Sequence, residues 1–91
     1  MPEITRKHLL VRGRVQGVGF RYTCAAVARS ASVRGWIRNL PDGTVEAVAE
    51  GARDDVAGVV EWCRKGPDGA SVFSVDVEEE VPQGLTGFEI R

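Results

Sequence analysis

The chain has 91 residues, of which 43% are hydrophobic and 27% are charged, a composition typical of one soluble globular domain with a single core. No apolar run approaches the ~18 residues that a membrane-spanning helix requires, and the N-terminal MPEITRK lacks the apolar middle of a signal peptide. These totals exclude a membrane protein and predict a single cytoplasmic domain over residues 1–91, in which residues 1–6 form a flexible tail.

The net charge of −1 is the sum of two halves with opposite character. Residues 1–39 carry eight Lys/Arg and one acid, whereas residues 40–91 carry four Lys/Arg and twelve Asp/Glu. The basic half favours an anionic ligand over a cationic one, although basic strands that face acidic strands across a sheet would give the same asymmetry.

The residues that usually bind metals are scarce. Cys24 and Cys63 are far apart in the sequence, and His8 is the single histidine. This set is too small for a zinc site, and a disulfide-stapled domain normally has more cysteines. We therefore expect two buried free thiols, no metal and no cofactor.

The first half of the chain alternates between strand and helix patterns. Alternation over His8–Arg14 predicts a strand, and apolar residues at i, i+3, i+4 and i+7 predict a helix from Phe20 to about Ala31. Alternation returns over residues 33–39 and 45–50, and Leu40-Pro-Asp-Gly43 between them predicts the turn of a hairpin.

The second half predicts a helix and two further strands. Asp54 and Asp55 suit a helix start, and the apolar pattern continues to Lys65, just before Gly66-Pro67. A fourth strand follows, with one predicted apolar face made of Phe73, Val75 and Val77. Residues 88–91 predict a short fifth strand. The order β-α-β-β-α-β predicts an α+β, ferredoxin-like two-layer sandwich, with both helices on one face of an antiparallel sheet.

The segment RGRVQGVGFR, residues 12–21, lies between the first strand and the first helix. In the predicted fold, the first two strands run parallel with the third between them. Residues 15–20 (the glycine loop) and Asn39 therefore emerge at the same end of the sheet. Glycines allow successive N–H groups to turn toward one point, and the first turn of the helix adds unpaired donors. Arg21 adds a planar fork suited to phosphate or carboxylate oxygens. The segment therefore predicts an anion site.

Other catalytic patterns are not found. No Gly-Lys-Ser/Thr follows the loop, and the spacing G-x-x-x-G-x-G differs from that of a dinucleotide fingerprint. No serine lies in a nucleophile-elbow context, and His8 precedes the loop by a full strand.

Two long stretches, RGRVQGVGFR and GWIRNLPDGTVEAVAEG, together resemble the acylphosphatase family. The similarity covers nearly the whole chain and continues through Gly66-Pro67, Ala70, Val72 and Phe88-Glu-Ile-Arg91. Two departures are minor: Ile37 stands where valine is common, and Asp68 follows Gly-Pro where proline is frequent. Neither position belongs to the predicted site.

The resemblance implies metal-independent hydrolysis of an acyl phosphate to a carboxylate and inorganic phosphate. It implies that phosphate or a similar anion binds at the loop and that Asn39 orients the attacking water. The catalytic residues implied are Arg21 and Asn39. The phosphate-binding residues implied are Val15, Gln16, Gly17, Val18, Gly19, Phe20 and Arg21. The small site predicts broad tolerance of the acyl group, and the chain length favours a monomer.

Two other functions are compatible with the predicted fold. An RNA-recognition domain would stack bases on aromatic residues of the central strands, but here Glu46 and Glu50 are predicted on that outward surface and would repel phosphate. A regulatory or metal-transport domain is disfavoured by the absence of a CxxC motif. We therefore expect no nucleic-acid and no membrane partner.

Overall fold

The computed structural model of the protein describes residues 3–91, which form five strands and two helices. In chain order the elements are β1 (Ile4–Arg14), α1 (Phe20–Ser30), β2 (Arg34–Asn39), β3 (Val45–Ala52), α2 (Arg53–Lys65), β4 (Ser71–Glu80) and β5 (Phe88–Ile90). This is the order of the predicted ferredoxin-like sandwich, which is confirmed. Neither of the described helices is long and apolar enough to cross a membrane.

The sheet order is β4-β1-β3-β2-β5, and it places β3 between β1 and β2. Both of these strands run antiparallel to β3, so they are parallel to each other. Val45, at the start of β3, pairs with Val11 on one side and with Asn39 on the other. The C-terminal ends of β1 and β2 therefore lie at the same end of the sheet, as predicted. The short β5 pairs parallel with β2, so the sheet is mixed rather than wholly antiparallel.

The core lies between the sheet and the two helices. Each helix buries one stripe, which is Phe20, Cys24, Ala25 and Ala28 in α1 and Val56, Val59, Val60 and Cys63 in α2. The two cysteines are free and buried, as expected, and their Sγ atoms lie 3.8 Å apart. A hydrogen bond between the two thiols, together with burial, raises the pKa of Cys63 well above its ordinary value.

The start of β1 differs from the prediction. The strand begins at Ile4, which pairs with Ala52, so the predicted flexible tail is wrong for residues 4–6. Residues 1 and 2 lie outside the described residues. The strand extends over these residues because Arg6 is buried and forms ion pairs with Glu50 and Glu80. A search for alternating apolar residues does not detect a strand that is held by a buried charged residue.

The position of Phe73 also differs from the prediction. Its side chain is 86% exposed, whereas alternation with Val75 and Val77 predicted it in the core. The register between β1 and β4 shifts at Gly13, and Phe73 is the extra residue of the resulting bulge. Gly13 is required there, because a Cβ atom would lie 2.2 Å from the main-chain oxygen of Ser71.

The outer face of the sheet, opposite the helices, is partly covered. Residues 81–87 (the crossing segment) connect β4 at one edge to β5 at the other. They pass over Glu50, whose carboxylate accepts hydrogen bonds from the backbone N–H groups of Gln83, Gly84 and Leu85. Glu50 is consequently 0% exposed: it lies on the outer face, as predicted, but the expectation that it would repel phosphate at the surface is wrong, because the crossing segment covers it.

Candidate active site

The glycine loop leaves β1 and enters α1 through two left-handed residues. Gly17 has φ +73° and Gly19, the residue before α1, has φ +76°. A Cβ atom at either position would meet nothing within 4 Å, so the backbone conformation rather than crowding is what requires glycine. Both glycines are exposed, and the loop therefore presents main chain to solvent.

The backbone donors of this loop have no partner in the described part of the chain. Within residues 3–91, the N–H groups of residues 16–20 find no acceptor, and the first such bond of α1 runs from Thr23 to the oxygen of Gly19. The first turn of α1 contains no acid. The positive end of the helix dipole and the free N–H groups thus give the glycine loop a positive potential, and no carboxylate in the first turn of α1 offsets it.

Arg21 lies in the first turn of α1, and its side chain is held by the end of the chain. Its Nη1 donates to the main-chain oxygen of Arg91 at 3.2 Å. Arg91 in turn is tied to β2, because its N–H donates to the oxygen of Ile37 at 2.8 Å. The guanidinium is therefore fixed relative to the strand that ends in Asn39.

Asn39 ends β2 and presents an unpaired acceptor. Its Oδ1 atom is buried and has no hydrogen-bond partner within residues 3–91. A buried acceptor left without a partner costs about 1–3 kcal/mol of stability.

The loop, Arg21 and Asn39 surround one cavity of about 260 Å³. It is lined by Val15, Gly17, Gly19, Phe20, Arg21, Tyr22 and Asn39. Six of these seven residues belong to the predicted site. The structure thus brings together the glycine loop and Asn39, which the predicted topology placed at the same end of the sheet. Gln16 and Val18 were predicted there as well but do not line the cavity.

The Gln16 side chain braces the loop rather than facing the cavity. Its Nε2 donates to the main-chain oxygens of Leu40 at 2.8 Å and Thr44 at 3.1 Å, which joins the loop to the β2–β3 turn. In the same turn, the N–H of Thr44 donates to Asp42 Oδ1 at 2.9 Å. Hydrogen bonds from Thr44 lower the pKa of Asp42, so this carboxylate has a structural role in the turn.

Two residues at the site were not predicted from the sequence. Tyr22 lines the cavity although it lies outside the apolar stripe of α1, and the main-chain oxygen of Arg91 holds Arg21. The position of Tyr22 directly after Arg21 was an available signal. The contact of Arg91 has no signal, because it depends on where β5 packs.

A second, larger cavity has a different character. Its volume is about 600 Å³ and it is lined by His8, Leu10, Arg64, Val75, Asp76, Val77 and Glu78. Two carboxylates face it, so it is a poorer site for a phosphoryl group than the cavity at the glycine loop. Within residues 3–91, no three His, Cys, Asp or Glu residues are grouped so that they could hold a metal ion.

The similarity to known proteins extends over the whole domain. A profile of the acylphosphatase family matches residues 7–90. An acylphosphatase from Trichormus variabilis is 55% identical over 89 residues, which span 98% of this chain and 88% of that protein. The solved structure of an acylphosphatase from Coxiella burnetii has a TM-score of 0.93 at 40% identity and covers 97% of this chain and 93% of its own. That of the Bacillus subtilis acylphosphatase has a TM-score of 0.92 at 35% identity, with coverages of 96% and 98%. The resemblance carried by the two motifs is confirmed, and the chain belongs to the acylphosphatase family.

Proposed function

We propose that the 260 Å³ cavity is where this acylphosphatase hydrolyses its substrate, a small acyl phosphate. The observation that carries this proposal is that Asn39, Arg21 and both left-handed glycines line one cavity. The reaction is the cleavage of the carboxyl–phosphate bond by water, which yields a carboxylate and inorganic phosphate.

The glycine loop and Arg21 bind the phosphoryl group. The free N–H groups of residues 16–20 donate to phosphoryl oxygens, and the dipole of α1 adds to the attraction. Nη1 of Arg21 is held by Arg91, which leaves the remaining guanidinium donors in a fixed orientation for the same oxygens. Phosphoryl transfer has a loose transition state with charge on the equatorial oxygens, so fixed donors supply most of the catalysis.

Asn39 orients the attacking water. Its side-chain amide, at the wall of the cavity, forms a hydrogen bond with the water and directs the water oxygen toward phosphorus. An amide is not a base, so the proton of the water passes to a phosphoryl oxygen. The water oxygen bonds to phosphorus as the phosphorus–carboxyl oxygen bond breaks, and the carboxylate leaves with the electron pair.

The test is hydrolysis of benzoyl phosphate in buffer that contains EDTA, by the wild type and by Asn39→Ala. We expect full activity of the wild type, since the mechanism uses no metal, and a decrease in kcat of about 10²–10³-fold for the variant. Inhibition by inorganic phosphate should be nearly unchanged in Asn39→Ala, because the loop and Arg21 remain.

Each outcome separates one part of the proposal. An Asn39→Ala variant that keeps most of its turnover would exclude the water-orienting role. Loss of wild-type activity in EDTA would overturn the metal-independent mechanism and leave the family assignment intact.

The proposal extends to a monomer that works in the cytoplasm. The two free thiols, only 3.8 Å apart, suit a reducing compartment. Sedimentation equilibrium should give the monomer mass of 9.9 kDa, and cell fractionation tests the location.

A further inference from the structure

Tyr22 is an exposed aromatic residue at the edge of the proposed active site. Its side chain is 73% exposed, and it lines the 260 Å³ cavity together with Arg21 and Asn39. The other large apolar side chains exposed in residues 3–91 are Ile4, Phe73 and Val81, and none of them lines this cavity.

The position of Tyr22 on α1 gives it no part in the core. It lies two residues after the buried Phe20 and two before the buried Cys24. At about 100° per residue, these steps place its side chain on the opposite side of the helix from the core stripe. Within residues 3–91, the single aromatic pair is Phe20 with Trp62, so the ring of Tyr22 packs on no other ring.

The substrate has two chemically different ends, and the cavity has matching parts. The N–H groups of the loop and the guanidinium of Arg21 suit the phosphoryl end. The acyl end is less polar and must extend away from these donors. Val15 and Phe20 are buried to 1% and 2% exposure, so they offer the acyl group almost no surface. Tyr22 is the lining residue that does.

We infer that Tyr22 is a specificity-determining residue that selects acyl phosphates with an aromatic acyl group by stacking on their ring. This inference rests on the proposed active site and narrows its substrate class. An acetyl group is too small to cover the ring, whereas a benzoyl group presents a flat face that can lie against it in an offset arrangement. Aromatic pairs of this kind correspond to a factor of about 2–12 in kcat/KM.

The experiment compares kcat/KM for benzoyl phosphate and acetyl phosphate in the wild type, Tyr22→Ala, Tyr22→Phe and Phe73→Ala. We expect the benzoyl-to-acetyl ratio to decrease about 5-fold in Tyr22→Ala and to stay at the wild-type value in Tyr22→Phe, which keeps the ring. Phe73→Ala is the matched control, since it removes an exposed aromatic residue outside the cavity, and it should leave both substrates unaffected.

Binding gives a readout that does not depend on turnover. Phenylphosphonate should inhibit the wild type more strongly than methylphosphonate, and Tyr22→Ala should reduce that preference by the same factor. An unchanged substrate ratio in Tyr22→Ala, or an equal loss in Tyr22→Phe, would overturn the stacking role. A wild type that hydrolyses neither substrate would instead refute the proposed function, so the two failures are distinguishable.

Discussion

The glycine loop and the crossing segment are both glycine-containing turns beside an arginine, and they lie at opposite ends of β3. Gln16 of the loop donates to the main-chain oxygen of Thr44, just before β3, whereas the crossing segment binds Glu50 near the other end of the strand. Val45, at the start of β3, and Glu50 are five residue steps apart along the strand, or roughly 17 Å. Each turn offers successive backbone N–H groups and has an arginine close by.

The two turns differ in what receives their hydrogen bonds. The N–H groups of the crossing segment are satisfied by the Glu50 carboxylate, which also bonds Arg6 Nη1 at 3.2 Å and is fully buried. The N–H groups of residues 16–20 find no acceptor among residues 3–91, and Gly17, Gly19 and Phe20 of this loop line a cavity. The same donor chemistry therefore stabilises the fold at one end and is available to an external anion at the other. A residue of one region should affect stability, and a residue of the other should affect catalysis.

The largest expected effect is on catalysis, in Arg21→Lys. Lysine retains the charge but loses the planar fork and the fixed contact with Arg91. We expect kcat/KM for benzoyl phosphate to decrease about 10³-fold, near the upper limit for loss of one preorganised donor. The midpoint of urea unfolding should change little, because the side chain lies outside the core.

Arg64→Lys is the matched control for this change. Arg64 is exposed on α2 and bonds only Glu61 among the described residues. Its replacement should leave kcat/KM and stability at wild-type values. A mild effect of Arg21→Lys would mean that the N–H groups of the loop are sufficient for catalysis.

The next effect is on stability, in Glu50→Gln. The neutral amide keeps the volume of the side chain but weakens four hydrogen bonds of the buried carboxylate. Because Arg6 retains Glu80, we expect a loss of about 3 kcal/mol in the free energy of unfolding, at the lower end for a broken buried ion pair. Measured at a temperature where the variant is folded, kcat/KM should be close to that of the wild type. A large loss of kcat/KM would contradict the separation between the two regions.

The pH dependence of stability tests the same residue. Burial alone would raise the pKa of Glu50, but the three N–H donors and Arg6 outweigh it and hold the pKa below its ordinary value of 4.5. The contribution of the carboxylate is thus complete above that value and is lost as the pH falls through the lowered pKa. The stability difference between wild type and Glu50→Gln should therefore be largest at neutral pH and decrease in acid. The other carboxylates with lowered pKa values, such as Glu46 and Glu79, occur in both proteins and cancel in this difference.

The sequence predicts the end of the molecule that holds the proposed active site better than the opposite end. Periodicity and turn residues suffice for the strand and helix order, and this order alone places the glycine loop beside Asn39. The burial of Glu50 depends on the path of the crossing segment, whose sequence VPQGLTG has no periodic pattern. The bulge at Phe73 and the brace from Gln16 likewise depend on contacts between distant parts of the chain. Local patterns predict elements, whereas these details arise only when the elements pack together.

The smallest expected effect compares one glycine from each region, Gly17→Ala and Gly84→Ala. The two positions have nearly equal φ, +73° and +76°, and a Cβ atom meets nothing within 4 Å at either. Each substitution should therefore cost about 1 kcal/mol of stability, from the left-handed conformation alone. The N–H of Gly84 donates to Glu50 at 2.7 Å, whereas that of Gly17 has no acceptor among residues 3–91 and Gly17 lines the proposed phosphate site. We expect only Gly17→Ala to weaken competitive inhibition by inorganic phosphate, by about 3- to 10-fold, since strain there turns a donor away from the anion. Equal inhibition constants in the two variants would show that the glycine loop does not bind phosphate through its backbone, and they would remove the functional distinction between the two turns.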